Sequence, residues 1–149
     1  MLKPDVIAPV YKSIVRWIGD TVEELQETGG FPAMQYQDWE SRGDENKLPQ
    51  TTLVGMDGFS FDENDDLWII RFAVAISSYR DAGLLNEIEL ISALHRRMGE
   101  GAKIPLREMD LGEQINELVV TDFELAPMAQ SNLRNYRTIG MTVLRTGTD

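Results

Sequence analysis

The longest strongly apolar run in the chain is DLWIIRFAVAISS at 66–78. Trp68, Ile70, Phe72, Val74 and Ile76 share one face at period two. Leu67, Ile69, Ala73 and Ala75 share the other, interrupted by Arg71. A strand apolar on nearly both faces predicts a central position, covered on both sides. The charge of Arg71 then needs a partner or must emerge at an interface.

Ahead of this strand, Val6, Ile7, Val10, Ile14, Trp17, Ile18 and Leu25 recur at steps of three and four. That spacing predicts an amphipathic helix from about Pro4 to Glu27. Pro4 suits a first turn, where its missing N–H has no partner to lose, and Pro9 sits early enough to be tolerated. Gly29-Gly30 stops the helix. The segment 29–50 is mostly polar and holds the aromatics Phe31, Tyr36 and Trp39. It predicts a short strand near 33–37 and a long loop over 38–49. Long loops inside a domain commonly carry function, so Tyr36 and Trp39 are candidate anchors to the domain or to a neighbour. Thr51–Met56 predicts a strand, Gly55 and Gly58 a bulge or turn, and Phe59 and Phe61 its continuation. The acidic turn 62–66, DENDD, closes an antiparallel hairpin of 51–61 with 66–78.

Leu84, Ile88, Ile91, Leu94 and Met98 predict the apolar face of a second helix over 83–98, ended by Gly99 and Gly101. IPLREM at 104–109 reads as a short strand, and Pro105 confines it to an edge or a terminus. INELVVTDFEL at 115–125 reads as a strand with Val119, Thr121, Phe123 and Leu125 on one face and Leu118 and Val120 on the other. A wide turn follows, then LRNYRTIGMTVLR at 133–145, with Ile139, Met141 and Val143 facing one way. The order predicts an α+β fold: a mostly antiparallel sheet of four or five strands carrying two amphipathic helices. The 149 residues suit a single domain, 1–149.

Composition changes this picture in two ways. The net charge of −11 argues against bulk attraction to a phosphate backbone and suits a basic protein partner. The absence of cysteine excludes disulfides and thiolate metal sites. The N-terminal stretch lacks the apolar core of a signal peptide, and no window approaches a membrane-spanning run.

The candidate chemistry thins out on inspection. Asp62, Asn64 and Asp66 match the first, third and fifth positions of an EF-hand loop. Leu67 stands where that loop needs Gly, and Ala73 where it needs Glu. A solvated hairpin turn accounts for these residues, and a weak divalent-cation site is the alternative. GEGAKI at 99–104 lacks the third glycine of a dinucleotide fingerprint and follows a helix rather than a strand. GFSFD at 58–62 lacks the last glycine of a nucleophile elbow. His95 is the one histidine, which does not suit zinc catalysis or a triad. The expectation is no enzyme, no cofactor and no metal. Arg134, Arg137 and Arg145 contrast with the acidic segment 57–66, where Asp62 and Asp65 lie; ordinary surface variation accounts for such a contrast, and head-to-tail contacts between copies are the alternative.

The layout resembles the tail-terminator proteins of long-tailed bacteriophages, also called minor tail or tail-completion proteins. The resemblance rests on the opening helix 6–27, the loop 30–50, DLWIIRFAVAISSYRD, the helix LLNEIELISALHRRMG and the closing LVVTDFELAPM…LRNYRTIGMTVLRT. It spans almost the whole chain as a pattern, without a short motif. It implies an enzymatically silent, homo-oligomeric ring, a hexamer, that caps the tail tube and joins it to the head. It further implies a sheet at ring interfaces, an acidic lumen through which DNA passes without specific binding, and contacts with a tail-tube protein and a head-completion protein. The implied location is the virion tail, assembled in the bacterial cytoplasm. Tyr36, Trp39, Arg71, Asp62, Asp65, Arg134 and Arg137 are the candidate interface residues. The alternative is a small-molecule or peptide-binding regulatory domain, with a pocket lined by Trp17, Phe72 and Met98. An enzyme using the acidic turn and a metal is the third reading.

Overall fold

The computed structural model describes residues 7–28, 51–64, 67–79, 84–106, 117–127, 129–130 and 134–145. They form α1 (Ile7–Thr28), β1 (Thr51–Asn64), β2 (Leu67–Tyr79), α2 (Leu84–Met98), β3 (Lys103–Pro105), β4 (Glu117–Leu125), β5 (Ala129–Gln130) and β6 (Arg134–Arg145). The fold is α+β. The sheet runs β1-β2-β6-β4-β3, with the two-residue β5 on β6 as a sixth strand beyond the four or five expected. All pairs are antiparallel. The middle of the sheet is therefore β6, and β2 lies beside it between β1 and β6. The loop 30–50, with its expected short strand, and the acidic pair at 65–66 lie outside the described residues.

Both helices pack on the inner face of the sheet. From α1, Val10, Ile14, Ile18, Val22 and Leu25 are buried, and from α2, Leu90, Ala93, Leu94 and Met98. They meet Trp68, Ile70, Phe72, Val74 and Ile76 of β2 and Ile139, Met141 and Val143 of β6 in one core. Each fully buried Leu or Ile here contributes on the order of 1.5–3 kcal/mol. Pro9 is the third residue of α1, where an N–H has no helical acceptor. Lower down, Ser13 Oγ donates to the Pro9 carbonyl and Thr21 Oγ1 to that of Trp17, each at 2.9 Å. These bonds let two buried hydroxyls sit on the helix's packed side.

Bulges account for most differences from simple alternation. β1 and β2 slip register between Leu53 and Gly55 and again between Asp57 and Ser60. At the second slip Gly58 has φ +66°, a left-handed conformation that glycine adopts without strain. The slip reverses parity, so Met56 and Phe61 both face the core. In β4 an extra residue at Thr121 does the same. Leu118 and Val120 are buried as one set, but Phe123 joins them on the inner face, and Val119 is turned outward. The expected grouping of Val119 with Phe123 is thus corrected. Thr121 Oγ1 donates to the Thr142 carbonyl at 3.2 Å within the bulge.

The face of α2 also differs from expectation. Leu90, Ala93, Leu94 and Met98 point inward together with Glu87, while Ile88 and Leu85 are 41% and 68% exposed and Ile91 is half-buried. The helix carries two adjoining apolar stripes, and the sheet takes the one that includes Leu90. After Met98, the Gly99 N–H bonds the His95 carbonyl at 2.9 Å, and a Cβ on Gly99 would stand 2.5 Å from that same oxygen. Glycine is therefore required where the helix ends. Gly101, at φ +92°, turns the chain into β3, which is a three-residue edge strand ending at Pro105.

Candidate functional site

The outer face of the sheet is where two of the candidate residues, Arg71 and Asp62, meet. β2 is not covered on both sides along its length. On its outer face Ala75 and Ser77 are buried, but Leu67, Ile69 and Ala73 are half-buried and Arg71 is exposed. The register places side chains across the strands in rows. Asp62, Ile69, Leu144, Val119 and Lys103 form one row, and Ser60, Arg71, Thr142 and Asp122 the next. Arg71 Nη1 donates to Asp62 Oδ2 at 3.2 Å across the β1–β2 ladder. The two side chains are 55% and 65% exposed, so the pair sits in water and holds its geometry weakly. Asp62 also occupies the first position of the EF-hand-like stretch. Among the described residues no group of three or more His, Asp or Glu is placed to hold a metal ion.

The basic side of the expected charge contrast is arranged otherwise. Arg137 lies on the inner face opposite Ile76. Its Nε donates to Glu87 Oε1 in the first turn of α2. Glu87 is 3% exposed, and the guanidinium is largely enclosed. Arg137 is thus committed within its own chain, where it ties the start of α2 to the sheet. Arg145 is buried with its guanidinium 4.3 Å above the Trp68 ring, a cation–π contact that a guanidinium favours. Arg134 pairs with Tyr79 through its backbone. The side chain of Arg134 lies outside the described residues, as do Tyr36, Trp39 and Asp65. Glu87 went unnoticed in the sequence. The signal was an acidic residue three before Leu90 and seven before Leu94, on the stripe that packs.

Two further features border the helices. An open groove of about 290 Å³ runs between α1 and β3, lined by Trp17, Asp20, Glu24, Arg97 and Lys103 among others. Arg97 Nε donates to Glu24 Oε1 at 3.1 Å across it, joining the two helices. Of the residues expected to line a pocket, Trp17 is at this groove, whereas Phe72 and Met98 are packed in the core. At the other side of α2, His95 Nε2 lies 3.1 Å from Glu100 Oε2 and the His95 ring meets Phe123 edge-on at 4.9 Å. Glu100 is held below the usual carboxylate range, first by its own backbone N–H and then by the His95 side chain, with the Phe123 N–H a smaller contributor. No described helix is long and apolar enough to cross a membrane.

A scan of the chain against protein-family models finds no match, and a search among curated proteins finds none.

Proposed function

We propose that this chain is a structural subunit of a phage tail. In this reading it is similar to the tail terminators and assembles into a ring that caps the tail tube and joins it to the head. One observation carries the reading: among the described residues both helices lie on one face of the sheet, and the other face is partly exposed over residues 67–73, with the exposed Arg71–Asp62 pair set in it. A half-apolar sheet face that carries charges of both signs suits contact with a further protein surface. The net charge of −11 is compatible with a lumen along which DNA slides. The partners are other copies of the chain, a tail-tube protein and a head-completion protein, and the location is the virion tail.

The groove beside Trp17 favours the second reading, a small-molecule or peptide-binding domain. Mass measurement in solution over a concentration series, with electron microscopy of the largest species, separates the two. A ring at high concentration supports the tail reading. A monomer at every concentration that binds a small molecule or peptide tightly overturns it.

A further inference from the structure

The outward face of α2 carries Glu89, Ser92 and Arg96, all exposed, along one line of the helix. Glu89 and Arg96 have no hydrogen bond or ion pair among the described residues. Seven residues apart, they are about 10.5 Å apart along the axis, two full turns on one face. On the outer face of the sheet, Arg71, Thr142 and Asp122 stand in one row across β2, β6 and β4. Two strand spacings separate Arg71 from Asp122, about 9.6 Å. The two surfaces therefore present opposite charges, in matching order and at matching separation, with a hydroxyl between them on each side. Both are bordered by apolar side chains: the exposed Leu85 and Ile88 on the helix, and the exposed Val119 with the half-buried Ile69 and Leu144 in the adjoining row of the sheet.

We infer that α2 of one copy lies across the open sheet face of a second copy, with Glu89 on Arg71, Ser92 over Thr142 and Arg96 on Asp122. Arg71 has donors enough to hold Asp62 and the incoming Glu89 together. The two patches are different surfaces of one molecule, so the contact is heterologous and each copy offers a free patch to the next. It rests on the ring reading only for the closure of the chain of contacts. A 15-residue helix covers a strip about 22 Å by 10 Å. That is small beside a standard interface of about 800 Å² per partner, so association through it depends on concentration.

Charge reversal tests the pairing. Arg71→Glu and Glu89→Arg, both at exposed positions, should each raise the self-dissociation constant at least ten-fold in sedimentation equilibrium. The double variant should recover most of the loss. Mixing Leu85→Asp/Ile88→Asp with Ile69→Asp/Val119→Asp should give a one-to-one complex, since each partner keeps one intact patch. Circular dichroism checks that each variant is folded. Rings that persist unchanged in both single reversals, or a double variant no better than the singles, would overturn the contact and leave the ring reading standing. A wild-type monomer at every concentration would overturn both.

Discussion

On the inner face of β2, Trp68, Ile70, Phe72, Val74 and Ile76 meet side chains from two helices. On its outer face, one residue away in each case, Leu67, Ile69 and Ala73 are half-buried and Arg71 stands in water. The same contrast separates two ion pairs of like composition. Arg137–Glu87 is enclosed between β6 and α2, whereas Arg71–Asp62 is open. An enclosed pair can reward neither partner with water if the other is removed, while an open pair simply rehydrates. The inner face therefore holds the fold together, and the outer face is free to serve something else.

Substitutions can break that division or sharpen it. The largest effect is expected for Ile70→Ala on the inner face, which should lose about 3–4 kcal/mol of unfolding free energy in urea titrations. Glu87→Ala strands an enclosed guanidinium and should cost about 3 kcal/mol, and adding Arg137→Met should restore part of it. Gly99→Ala pushes a methyl into the His95 carbonyl and should lower stability by about 2 kcal/mol, read as a drop in Tm. Arg71→Ala on the outer face should change stability by less than about 0.5 kcal/mol and leave a folded monomer, while weakening assembly. A loss comparable to that of Glu87→Ala would erase the distinction between the faces.

The smallest effect concerns pH. Glu100 has its folded-state pKa depressed, so its stabilisation is fully present above the ordinary carboxylate range and fades as the pH falls through the folded value. Glu100→Gln should leave the stability curve flatter on its acid limb and nearly unchanged near neutrality, as measured by thermal melts between pH 3 and 7.

Much of the fold was legible because local chemistry and global packing agreed. The even positions of β2, the glycines at the β1 bulges, the helix stop at Gly99 and the edge position of Pro105 each had one physical reading. The rotation of α2 did not. The expected face joined Leu94 and Met98, which are buried, to Ile88 and Ile91, whereas the sheet takes Leu94 and Met98 together with Leu90 and Ala93; only the position of the sheet decides between the two sides. Glu87 lies on the packed stripe because Arg137 supplies its partner from 50 residues away, which the helix sequence alone does not show. The bulge at Thr121 has no glycine to announce it, so simple alternation misplaced Phe123. The candidate site was half legible. Arg71 stood out as a charge in an apolar strand, but that its partner is Asp62 depended on the register across the hairpin.

The position of β6 has a consequence in time. β6 lies between β2 and β4, yet it follows both in the chain, and Trp68 finds its cross-strand neighbour Arg145 only 77 residues later. Until 134–145 have been made, the strand that joins the β1–β2 hairpin to the β3–β4 pair is missing. The free flank of β2 is then the most apolar template in the nascent protein. Completion of the sheet is a late, long-range event of the kind that slows folding, and in that interval unpaired strands invite association between neighbouring chains before the finished molecule exists to direct it.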